Sequence, residues 1–218
     1  YGSVLVGLLS NSGISKSDID GIIFSSVIPN LNYTICHMCE YFFGISPLIV
    51  GPGIKTGLNI KADNPKEVGA DIIVNSVSAY NKYGGPIIVI DFGTATTFDV
   101  VVKGNSMPCF AGGLIAPGLS AVAGCLHSKT AQLPQCEPVE GAPIIGQNTQ
   151  EAMSSAIAVG YPGMVDSIVD GIEKELGEAV HVLLTGGDAK WLASRMRRGC
   201  RIVPDLTMQG IAKAALRM

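Results

Sequence analysis

The chain is organised around residues 87–102, IIVIDFGTATTFDVVV. A run of β-branched apolar residues leads into Asp91, a tight Asp-Phe-Gly-Thr turn follows, and a second apolar run completes a β-hairpin. Its tip carries one carboxylate (Asp91), one glycine (Gly93) and three hydroxyls (Thr94, Thr96, Thr97). Glycine lets backbone approach a bulky anion, hydroxyls and turn amides bond phosphate oxygens, and a carboxylate can hold a cation beside them. An ordinary hairpin with a polar turn fits the same residues.

Composition narrows the classes around this hairpin. Of 218 residues, 47% are apolar and 15% charged, enough to bury a sizeable core and too few charges for extended disorder. A net charge of −3 argues against a general nucleic-acid binder, and Arg195, Arg197, Arg198 and Arg201 read as a solvated helix end. No apolar run reaches the length of a membrane span. No signal peptide is recognised at Tyr1. Six irregularly spaced cysteines do not form a disulfide framework, which predicts reduced thiols and a cytoplasmic location. Cys36 and Cys39 have C-x-x-C spacing with no second ligand pair near them.

Working toward the N-terminus, a helix whose apolar face is Val4, Leu5, Leu8 and Leu9 is expected to end at Gly13. A strand over 21–27, a helix over 30–43 closed by Gly44, and a strand over 47–50 follow. The glycine-rich stretch 51–60, GPGIKTGLNI, carries Lys55 and Thr56 but lacks P-loop spacing. Asn64-Pro65-Lys66-Glu67 reads as a helix start with a capping box, and the helix should run to residue 82 with Asp71 in its second turn. Asp71 lies among apolar neighbours, where it is either a surface aspartate or a general base facing a cleft. Gly84-Gly85-Pro86 is a natural boundary, giving units 1–85 and 86–218.

Toward the C-terminus, a third strand should end near Gly112-Gly113, and a helix should cover 120–132. A proline-bearing connection spans 133–145. Asn148 and Glu151 predict a helix start, with an interruption and kink at Pro162 before a second segment to Leu176. The strand HVLLT at 181–185 runs into Gly186-Gly187-Asp188, where glycines and helix amides could receive an anion or simply make a turn. A short strand at 201–203 and a helix from Asp205 finish the chain.

Seven motifs in order give these pieces a common identity: GPGIKTGLNI (51–60), DNPKEVGAD (63–71), DFGTATTFDVV (91–101), GGLIAPGLS (112–120), IGQNTQEAM (145–153), LLTGGDA (183–189) and PDLTMQGI (204–211). Together they resemble the type III pantothenate kinases, the Bvg accessory factor-like family, within the actin, Hsp70 and sugar-kinase superfamily. The resemblance implies an α/β fold of two ribonuclease-H-like domains, with ATP in the cleft between them. It implies phosphorylation of pantothenate at the opening step of coenzyme A synthesis. Asp71 matches the aspartate that takes the hydroxyl proton, and Gly69 and Ala70 the segment lining the pantothenate site. Thr149 matches a threonine contacting pantothenate. Asp91 matches the aspartate holding a monovalent cation, potassium or ammonium. Gly93, Thr94, Gly186 and Gly187 match residues near the nucleotide, which brings magnesium with it. The resemblance also implies a homodimer whose partner chain helps close the substrate site; the apolar helix at 148–160 fits either that interface or ordinary core packing, and charge and hydropathy point to neither nucleic acid nor membrane as partner.

One motif and two positions depart from the family's pattern. Its opening Asp-x-Gly-Asn-Thr phosphate motif is not in this chain, so the first domain is expected to lack its N-terminal strands here, leaving two strands with an open edge. Ile72 stands where the family usually has an arginine that contacts the pantothenate carboxylate. Ala62 stands where many members have a tyrosine. Isoleucine cannot make the bidentate pair that arginine makes with a carboxylate. These two changes leave open a kinase for another small alcohol, and a non-catalytic or regulatory homologue.

Overall fold

The computed structural model describes residues 1–26, 28–51, 57–138, 141 and 143–215. Val27, residues 52–56 with Lys55 and Thr56, and parts of the 133–145 connection lie outside the described residues.

In chain order, α1 (Gly2–Asn11), β1 (Ile23–Ser25), α2 (Pro29–Phe43) and β2 (Leu48–Val50) come first. Next are β3 (Asn59–Ile60), α3 (Ala70–Tyr83) and the hairpin strands β4 (Ile87–Phe92) and β5 (Ala95–Val102). Then come β6 (Cys109–Pro117), α4 (Leu119–Lys129) and α5 (Thr149–Leu176). The chain closes with β7 (His181–Gly186), α6 (Ala189–Ala193), β8 (Arg201–Ile202) and α7 (Leu206–Ala215). Strands β1 and β2 pair in parallel as a two-stranded sheet. The larger sheet has the order β3-β6-β5-β4-β7-β8, with β4, β5 and β6 antiparallel neighbours and the outer pairs parallel.

Strand alternation sends successive side chains to opposite faces. Ile88, Ile90, Phe92, Phe98, Val100, Val182 and Leu184 pack on one face against α4, α5 and α6. Ile87, Val89, Val101 and Leu183 pack on the other against α3 and the start of α7. The far side of α3 and α7 covers the small sheet, where Val50 and Ile23 meet Ala70, Val74, Ile211 and Ala214. Close contact between the two helices requires Gly210, because a Cβ there would collide with the Val74 carbonyl. Helix α3 is therefore held between two sheets, and this placement sets the site.

The structure corrects several local expectations. Asn64 caps only a 3-10 turn over Pro65–Glu67, and the chain then extends through Val68 and Gly69 before α3 begins. Asp71 consequently sits in the first turn of α3. Strand β6 does not end at Gly112-Gly113 but continues to Pro117, absorbing a bulge where β5 pairs with it between Val100 and Val101. Helix α5 runs unbroken through Pro162, because Tyr161, Val165 and Val169 are buried on the sheet on either side of the proline. The expected apolar face of α1 is exposed at Val4 and Leu8, and Gly2 packs on Phe42 instead.

Candidate active site

The site grows from the first turn of α3. Asp71 Oδ1 accepts the Ile72 backbone N–H at 2.9 Å, and it occupies the space a Cβ on Gly69 would need. Glycine at 69 is thus a condition for this carboxylate orientation. A carboxylate in a first helical turn is stabilised by unpaired N–H groups and the helix dipole. Ile72 is half-buried beside it. One turn further along the same helix, Asn75 is buried, and its Nδ2 donates to Asp91 Oδ2 at 3.3 Å.

Opposite α3, the hairpin presents alternate residues. Asp91 pairs with Thr97 across the antiparallel ladder and with Thr185 across the parallel one. Asp91, Thr97 and Asp99 continue the face that Ile87, Val89 and Val101 turn toward α3. Thr97 Oγ1 donates to Asp99 Oδ2 at 3.1 Å. Burial raises the Asp91 pKa, the Asp71 charge raises it further, and the Asn75 hydrogen bond partly offsets both. Burial likewise pushes Asp99 up to about 7, with Thr97 opposing and the charges of Asp71 and Asp91 adding to the rise. Three carboxylates thus share one region, and among the described residues none of them forms an ion pair. No three His, Cys, Asp or Glu side chains of the described residues converge to hold a metal ion.

The hairpin tip is buttressed from two sides. The Gly118 N–H donates to the Thr94 carbonyl at 3.1 Å, and a Cβ on Gly118 would strike the Gly93 and Thr94 carbonyls. The Gly187 N–H donates to the Phe92 carbonyl at 3.1 Å. Gly186 has φ +89°, and a Cβ there would collide with the Phe92 carbonyl and reach within 2.7 Å of Asp91 Oδ1. On the opposite face of the hairpin, the Tyr161 hydroxyl lies 2.7 Å from Thr96 Oγ1 and donates to the Pro117 carbonyl at 2.9 Å. Gly93 and Thr94 are left exposed at the tip, with backbone and hydroxyl open to a ligand.

The model of the type III pantothenate kinase family matches residues 1–171. The chain belongs to the type III pantothenate kinase family. A type III pantothenate kinase from Bacillus cytotoxicus is 44% identical over 211 residues, covering 97% of this chain and 79% of the relative. The fold recurs in the crystal structure of a candidate Baf family transcriptional activator from Campylobacter jejuni. That structure aligns with a TM-score of 0.61 and 18% identity, over 91% of this chain and 83% of the other.

Within this type III pantothenate kinase chain, Gly69, Ala70, Asp71 and Ile72 fall together at the start of α3. Asp91, Gly93, Thr94, Gly186 and Gly187 fall together at the facing ends of β4, β5 and β7. Thr149 stands apart. It is the exposed first residue of α5, in the layer on the other face of the sheet from α3. Three residues were not singled out from the sequence: Asn75, Asp99 and Tyr161. Asn75 carries a readable signal, since it lies one helical turn after Asp71. Asp99 is readable only as an inward position of β5, and Tyr161 has no local signal.

Proposed function

We propose that this chain transfers the γ-phosphoryl group of ATP to pantothenate, giving 4'-phosphopantothenate for coenzyme A synthesis, with Asp71 as general base. In this reading Asp71 accepts the hydroxyl proton as the alcohol oxygen attacks the γ-phosphorus and ADP leaves. Phosphoryl transfer depends chiefly on positioning and charge neutralisation, and a base contributes typically ~10²–10⁴-fold. The observation that carries the reading is the Asp71 carboxylate, presented by the first turn of α3 toward a hairpin whose Asp91 is bonded to the same helix through Asn75.

The exposed Gly93 and Thr94 tip and the Gly186-Gly187 turn would receive the nucleotide phosphates with their magnesium. Ala70 and the Gly69 backbone would line the pantothenate site. Asp91 would hold the monovalent cation, potassium or ammonium. The residues fit that ion: among the described residues the carboxylates of this region form no ion pair, and the Asn75 Oδ1 beside Asp91 is buried without a partner. A bound cation would neutralise negative charge as the phosphates approach.

Wider features of the reading have their own support. The two sheets on either side of α3 and α7 suit two ribonuclease-H-like domains, with residues 1–85 supplying the small sheet and 86–218 most of the large one. The placement of Thr149 on the far layer suits a homodimer, in which a partner chain delivers it to the pantothenate site. Six free cysteines suit the cytoplasm. No described helix is long and apolar enough to cross a membrane.

The test is potassium-dependent phosphorylation of pantothenate by the full-length protein. Asp71→Asn should lower kcat by ~10²–10⁴-fold. Turnover unaffected by this substitution would remove Asp71 from the chemistry. Ile72 favours one second reading, a kinase of a small alcohol lacking a carboxylate, because an apolar side chain is half-buried beside the base. Pantetheine outperforming pantothenate, with the preference reversed by Ile72→Arg, would establish it.

A further inference from the structure

We infer that Asn75 is a positioning residue that fixes the Asp91 carboxylate and supplies an additional oxygen donor to a monovalent cation held there. The inference rests on the cation reading above and goes beyond it in assigning a residue. Asn75 is 1% exposed and projects from the same helical face as Asp71. Its amide is used only in part: Nδ2 donates to Asp91 Oδ2 at 3.3 Å, while Oδ1 is buried with no partner. A buried acceptor left unmade is costly, so this side chain is an expensive choice on a helix whose buried residues include Ile73, Val74, Val77 and Ala79 as well as Ser76 and Ser78.

Two further observations give the orphaned oxygen a use. Among the described residues no three His, Cys, Asp or Glu side chains converge to hold a metal, and the buried Asn75 oxygen is an available further donor beside Asp91. Side-chain amide oxygens are ordinary ligands of hard cations beside carboxylates. An amide is suited to both tasks, since its N–H group can anchor the charged ligand while its oxygen joins the coordination. Asn75 also makes the connection between helix and hairpin, so occupancy at Asp91 would steady the helix turn that carries Asp71.

The test reads cation binding directly. Thermal unfolding of the full-length protein is followed while potassium chloride replaces choline chloride at constant ionic strength, and the midpoint of potassium stabilisation is compared among variants. Asn75→Ala should raise that midpoint about tenfold or more. Asn75→Gln, which retains both an amide oxygen and its N–H donor, should keep the response within about threefold of the parent. The potassium activation constant should rise in step for Asn75→Ala, with KM for ATP at saturating potassium changing much less. A normal midpoint in Asn75→Ala overturns the inference while leaving the cation reading intact. Loss of the response in a folded Asn75→Gln protein overturns the donor role. A parent protein with no selective potassium response overturns the cation reading and this inference together.

Discussion

Asp99 is 2% exposed and accepts one side-chain hydrogen bond, from Thr97, in a region shared with two other carboxylates. Burial first, and the neighbouring charges of Asp71 and Asp91 after it, hold its pKa near 7 against 3.8 in the open chain. A carboxyl whose pKa is raised on folding favours the fold fully below pH 4, and that contribution is lost as pH climbs through about 7. The contribution is on the order of 4 kcal/mol. Calorimetry of the ligand-free protein should therefore find Asp99→Asn increasingly more stable than the parent as pH goes from 5 to 8. The Tm difference between them should widen by roughly 5–10 °C. Equal pH slopes would mean that Asp99 is ionised without penalty. Asp71 and Asp91 could be singled out from the sequence because they belong to recognisable motifs. Asp99 could not, because alternation predicts which face a strand residue takes and not what covers that face. Here α3 covers it, and α3 is distant in sequence.

At the scale of elements, the junction of β7 with α6 is constrained by Gly186. Its φ of +89° favours glycine, and the adjacent Phe92 carbonyl and Asp91 carboxylate leave no room for a side chain. Gly186→Ala should cost about 1–3 kcal/mol through strain and crowding. It should also displace Asp91, so the variant should show a lower Tm together with a weaker potassium response and a higher KM for ATP. A lower Tm with unchanged ligand behaviour would separate this glycine from the site. The helices show how local rules compete. Asn64 and Glu67 do satisfy one another, with Asn64 Nδ2 donating to Glu67, and yet the helix does not propagate from them. Val68 and Gly69 stay extended, and α3 begins afresh against the two sheets. Pro162 is the reverse case. It lacks a backbone donor, but Tyr161, tied to Thr96 and Pro117, and the buried Val165 and Val169 fasten α5 to the sheet on both sides of it. In both places packing outweighs the local signal.

At the scale of the whole molecule, Asp71 and Thr149 belong to layers on opposite faces of the large sheet. If Thr149 serves the partner chain's Asp71, mixed dimers give a decisive measurement. Asp71→Asn and Thr149→Ala chains, each impaired alone, should regain activity when unfolded together and refolded as heterodimers, because one site of the pair would then be intact. No recovery in verified heterodimers would place Thr149 in the site of its own chain or outside the site altogether. The hairpin, the β7-glycine turn, the family, and the motifs that carry Asp71 and Asp91 are all legible in the linear chain. Those features rest on alternation, turn chemistry and short-range spacing, which are local. Where α3 restarts, which faces of β4 and β5 it covers, and hence that Asn75 meets Asp91 beside a buried Asp99, emerge from the packed fold alone. These outcomes depend on contacts between segments far apart in the chain, whose strength comes from burial between two sheets and not from any short stretch of residues.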